Sequence, residues 1–153
     1  MSQITNLYDP KVFDRLNHRI NMLEQNKKPI WGEMNTAQMM AHVTAVMKNG
    51  LDVNKLPRKL IGYFIAPFWR HKYFNDKPYK IKNLVTHPNF KMADTKEFEY
   101  EKEQLHYWLK VFHEEGMQRS KDACHPLLGR FTPEQWGIGQ YKHLDHHLRQ
   151  FGV

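Results

Sequence analysis

Only one cysteine, Cys124, occurs among the 153 residues. No disulfide can form within the chain, so its fold must rest on packing. The lone thiol points to a reducing compartment or to indifference to redox state. Long apolar runs are also missing. The longest, "LIGYFIAPFW" from Leu60 to Trp69, falls well short of the about 20 residues that cross a bilayer. The opening "MSQITNLYDPKVFDRLNHRI" lacks the apolar stretch of a secretory leader. A soluble, cytoplasmic protein without a transmembrane segment is therefore expected. No stretch alternates clearly with period two, so strands are not expected to build the core. The length suits one domain, residues 1–153, able to bury a core without staples.

Acidic residues are scarce in one place. The formal net charge is +7, yet between Lys55 and Lys91 nine Lys/Arg face a single acid, Asp76. The basic excess is therefore local. Such a region suits an anionic ligand, an acidic partner, a membrane surface or nucleic acid, and the plainer reading is a solvated basic loop. No nucleic-acid motif accompanies it, and no specific nucleic-acid partner is expected.

Helical signals fill most of the remaining chain. Asp9-Pro10 reads as an N-cap followed by proline in the first turn, opening a helix from about Pro10 to Gln25. Pro29 and Gly32 then interrupt. Asn35 with Gln38 forms a capping-box pattern for a second helix from Thr36 to Asn49, stopped by Gly50. Residues 51–94 read as a long irregular connection, with a short helix ended by Pro67 and loop from Arg70 onward. "TKEFEYEKEQLHYWLKVFHEEG" is the third substantial helix, ended by Gly116, with Glu97, Glu101 and Glu103 on a solvated face. Thr132-Pro133-Glu134-Gln135 caps a fourth, from Pro133 to about Phe151. Four such helices predict an all-α, antiparallel four-helix bundle.

The last helix carries "YKHLDHHLRQFGV". His143 and His147 are four residues apart, about 40° around the helix axis, and so stack on one face. Trp136, Gly139, Gln140 and Gln150 fall on or beside that stripe, Asp145 points away, and His146 lies toward its edge. Paired imidazoles held partly out of water need hydrogen-bond partners or a ligand, and an i, i+4 histidine pair suits a metal ion. A catalytic ion usually takes three protein ligands and keeps one position open. His42, inside the apolar face of "QMMAHVTAV", is the candidate third, although alone it reads as a satisfied core residue.

The segments "WGEMNTAQMMAHV" and "HPLLGRFTPEQWGIGQYKHLDHHLRQFG" resemble the DinB-like (YfiT-like) metal-binding four-helix bundles, in particular an uncharacterised small-protein branch. The resemblance is carried by these two segments, and the middle third contributes little. It implies a metal site of His42, His143 and His147, zinc or nickel as the ion, and a homodimer. Some relatives are thiol-dependent S-transferases, which implies a low-molecular-weight thiol and a small-molecule substrate.

Three neutral imidazoles suit a divalent transition metal better than magnesium or calcium. Such an ion acidifies a coordinated water to about pKa 7 or holds a thiolate, so a transferase or a hydrolase is open, and so is a non-catalytic binding bundle. The helix carries no glutamate beside the pair, which favours thiolate delivery over peptide hydrolysis. Gln140 and Gln150 could orient a water or an imidazole. Arg58, Arg70 and Lys72 are candidates to receive an anionic thiol. Cys124 and His125 are adjacent, so their side chains diverge, and a nucleophilic pair is not expected. His125-Pro126 reads as a structural or rim element. Phe13, Trp31, Trp108 and Phe112 read as packing residues, and His18, His71, His87, His106 and His113 as exposed or incidental.

Overall fold

The computed structural model describes residues 4–75, 77–80 and 87–153, so Asp76 and part of the expected loop lie outside the described residues. Asp9 accepts the Lys11 amide hydrogen bond and Pro10 occupies the first turn of α1, Pro10–Asn21. This helix stops short of the predicted Gln25. The Met22 amide closes it by donating to the Arg19 and Ile20 carbonyls. In α2, Thr36–Gly50, the Asn35 side chain accepts from the Gln38 amide while the Gln38 side chain accepts from the Asn35 amide. Two of the four amides that a helix start leaves orphaned are so satisfied near one another.

The connection after α2 departs from expectation. The short helix expected there is α3, Ile61–Tyr73, and it continues through Pro67 instead of ending at it. A proline removes one backbone bond, to the residue four before it. Here both Pro67 and Tyr63 are exposed, where such a loss is tolerated. A single 3-10 turn, Pro88–Phe90, follows. Helix α4, Phe98–Arg119, runs past Gly116 instead of ending there. Gly116 serves close packing, since a Cβ would come within 2.9 Å of the Tyr8 ring. Glu101 is buried, not solvated. A two-residue antiparallel hairpin, β1 (Cys124–His125) with β2 (Gly129–Arg130), precedes the last helix. Helix α5, Pro133–Gln150, begins with the Thr132/Gln135 capping box.

Among the described residues there are thus five α-helices and one short hairpin. Helices α2, α4 and α5 pack against one another, α1 lies on α4 and α5, and α3 leans on β2. Met40, Val43 and Met47 of α2 share one core with Leu105, Leu109 and Phe112 of α4 and with Leu144 and Leu148 of α5. Each such buried side chain contributes roughly 1.5–3 kcal/mol relative to exposure. Arg19 ties α1 to α5 by donating to Asp145 at 2.7 Å and to the Val153 carbonyl at 2.9 Å. No described helix is long and apolar enough to cross a membrane.

Candidate metal centre

α2 and α5 face each other across the core, and this brings His42 to His143 and His147. One ring nitrogen from each of the three lies within 4.8 Å of the others. Ring centroids are 4.9 Å apart for His42 and His143, 4.8 Å for His42 and His147, and 4.7 Å for His143 and His147. Donors converging at this spacing from two helices could hold a metal ion.

The hydrogen bonds around the rings decide which nitrogens face inward. His42 Nδ1 lies 2.8 Å from the Phe90 carbonyl. A carbonyl only accepts, so Nδ1 carries the proton and Nε2 of a neutral ring is bare. His147 Nδ1 lies 2.8 Å from Gln150 Oε1. The Gln150 amide nitrogen donates to the Trp31 carbonyl at 2.6 Å, which fixes the amide with its oxygen toward His147. His147 is therefore also an Nδ1–H tautomer with Nε2 free. Metal-ligating histidines are commonly oriented in this way.

His143 differs. Its Nε2 lies 3.0 Å from His42 Nε2. Since the His42 nitrogen is bare, that of His143 must donate in the metal-free protein. His143 Nδ1 is buried and finds no partner among the described residues. For all three Nε2 atoms to bind one cation, the His143 proton must move to Nδ1. The donor set fits a borderline transition metal once that tautomer changes.

Burial keeps the rings neutral. Desolvation lowers the His42 pKa, against a raising effect of the Phe90 bond. His143 falls well below its usual value, first through burial and then through the neighbouring imidazoles. His147 falls to about 3, again chiefly by burial, with His42 adding to the effect. Neutral imidazole is the form that ligates, so protons compete weakly for the site.

Residues around the triad complete it in ways only partly foreseen. The two segments around "WG" and the final histidines meet directly: the Ile30 amide donates to the Gln150 carbonyl at 2.8 Å. Gly32 has φ +82°, and a Cβ there would stand 2.6 Å from the Gln150 amide nitrogen. A side chain would therefore displace the residue that orients His147. The Phe90 carbonyl was not foreseeable, because a backbone acceptor carries no residue-type signal. His146 lies deeper than an edge position. It is buried, with ring centroids 5.5 Å from Trp31 and 5.8 Å from Tyr79. His125 Nδ1 accepts from the Leu127 and Leu128 amides at 3.1 and 3.0 Å, which makes it a loop-shaping residue.

Other sequence candidates are engaged elsewhere. Arg70 donates to the Leu128 and Arg130 carbonyls, Arg58 lies over the Tyr63 ring, and Lys72 over Trp69. Gln140 donates to the Val46 carbonyl at 3.3 Å, one helical turn from His42. His106 faces Asn17 and Asn21, and His113 Nδ1 donates to the Leu7 carbonyl. Both are fastened into the α1–α4 seam, so they are neither loose nor incidental. Compared with protein-family models, curated proteins and solved structures, the chain matches none.

Proposed function

We propose that the protein is a DinB-like metal-binding bundle whose His42, His143 and His147 hold one divalent transition metal. Zinc or nickel fits best. The observation that carries this reading is the convergence of three imidazoles from α2 and α5, two of them with Nδ1 tied to an acceptor. In this reading α1, α2, α4 and α5 form the four-helix bundle, with α3 and the hairpin set between its second and fourth members. The protein works in the cytoplasm, as a homodimer.

When bound, the ion supplies Lewis acidity at neutral pH to a small ligand, a water or a thiol, at a position the protein leaves open. The chain's own part is to hold and orient. The Phe90 carbonyl and Gln150 fix two rings, and His143 can carry its proton on either nitrogen. Among the described residues the three-histidine group includes no carboxylate to serve as a base, so transfer of a low-molecular-weight thiol is favoured over hydrolysis. A non-catalytic metal- or small-molecule-binding bundle is the second reading, motivated by the same missing base.

Metal analysis of the purified protein and of His147→Ala tests the site. About one equivalent in the wild type and a clear loss in the variant are expected. Equal metal content in both removes His147 from the site. Chelation separates the two readings. An exchangeable functional ion leaves the helices folded after removal, whereas helices that melt with EDTA mark a structural ion. A panel of low-molecular-weight thiols with electrophilic substrates then tests the transferase.

A further inference from the structure

Helix α3 is turned inside out. Its inner side buries the small Gly62 and Ala66, and only its last residue, Tyr73, packs a large side chain against the core. Its outer side carries Leu60 at 80% exposure, Phe64 and Phe68 each at 77%, and Ile61 at 59%. Spacings of three and four residues place these four on one stripe. Monomeric surfaces rarely leave such a stripe of large apolar side chains uncovered.

The orientation is fixed by the rest of the fold. The Lys59 amide donates to the Pro126 carbonyl at 2.8 Å. Gly62 sits so close to the Leu127 carbonyl that a Cβ would collide with it. At the other end, Lys142 of α5 donates to the Lys72 and Asn75 carbonyls at 3.0 and 3.1 Å, and Arg70 is bonded to the hairpin. Polar and glycine contacts, with Tyr73 packed on Phe131, thus hold the helix by one side and present the other. Lys72 continues the stripe four residues past Phe68, and the exposed cations Lys77, Lys80 and Lys91 follow in sequence. Across Lys55 to Lys91 nine Lys/Arg face one acid, Asp76, which lies outside the described residues.

We propose that α3 is a docking helix for an anionic phospholipid surface, with Leu60, Ile61, Phe64 and Phe68 entering the headgroup–acyl boundary and the lysines meeting the headgroups. At 13 residues the helix can lie in that boundary and cannot span it. A second copy is a poorer occupant, since pairing two such faces, each with nine Lys/Arg to one acid along the stretch, sets cation against cation. A grooved protein partner is also less well matched, because the apolar side chains stand out from a surface helix beside lysines, the pattern of an interfacial helix.

Sedimentation of the full-length protein with vesicles tests this, using phosphatidylcholine alone and phosphatidylcholine mixed with phosphatidylserine. Binding to the mixed vesicles is expected at low salt, at least about tenfold above binding to phosphatidylcholine alone, and weakening steeply as salt rises. The Phe64→Ser/Phe68→Ser double variant, altered only at exposed positions, should bind at least about tenfold less. A Lys72→Glu/Lys77→Glu variant should lose the preference for phosphatidylserine. Absence of binding to mixed vesicles at low salt overturns the proposal. So does unchanged binding of the phenylalanine variant. Self-association, or capture of an acidic polypeptide, that depends on Phe64 and Phe68 while vesicles are ignored would also overturn it and reassign the face.

Discussion

A neutral histidine has one donor and one acceptor, and at this site the neighbours choose which is which. Gln150 is the clearest case, because its two amide atoms are spoken for by His147 and by the Trp31 carbonyl. Gln150→Ala should leave the helices formed but free the His147 ring to rotate and change tautomer. Metal affinity is expected to fall about 10- to 100-fold, read by competition with a chromogenic chelator. An affinity unchanged within twofold would mean that the ring is held by packing alone. The His143 proton gives a second residue-scale signature. In the metal-free protein it sits on Nε2, facing His42 at 3.0 Å. Nitrogen chemical shifts of that ring should report the Nε2–H tautomer before metal is added and the Nδ1–H tautomer after.

Four of the five described α-helices start at a side-chain cap, and glycines mark close contacts between elements. Thr132→Ala removes the capping box of α5 and should cost about 1 kcal/mol, measured by denaturant unfolding. Metal stoichiometry should be unchanged, since the cap lies at the opposite end of α5 from His143 and His147. Gly62→Ala acts differently. The added methyl meets the Leu127 backbone, which cannot swing aside as a side-chain tip could. Helix α3 must then lift from the hairpin, at a cost of about 1–3 kcal/mol. A melting temperature lower by several degrees checks this, and an unchanged one would show that the α3–hairpin contact has slack.

The molecule as a whole couples ionisation to folding through its buried imidazoles. Burial holds His147 at about 3, and His125 and His146 at about 4, all below the ordinary 6.5. An unfolded chain takes up protons on these rings as pH falls through 6.5, whereas the native state does not. Between those limits the unfolded state binds more protons, so stability falls as pH falls. The metal-free protein should therefore lose stability progressively from about pH 6.5 toward pH 3, with no slope from these groups above about pH 7. Denaturant midpoints across that range measure it, and a flat profile would place the rings in contact with water. A metal held by His42, His143 and His147 would stabilise the native state by about 2.7 kcal/mol at a hundredfold excess over its dissociation constant, visible as a raised melting temperature.

The sequence by itself determined three of the five helix starts and the ligand chemistry on offer. Asp9, Asn35 and Thr132 act on amides two or three residues away, and His143 and His147 share a face by helix geometry alone. Those are local relations, set by backbone dihedrals and short spacings. What only the tertiary structure decided is nonlocal. Helix α3 continues through Pro67 where that residue and Tyr63 are exposed, and Gly116 lies inside α4 where Tyr8 leaves no room for a Cβ. His42 meets two residues a hundred positions later because α2 and α5 pack together, and its proton is placed by the Phe90 carbonyl, a group every residue possesses. Composition cannot signal such an acceptor. Only the packing of one segment against another gives it a direction and a distance.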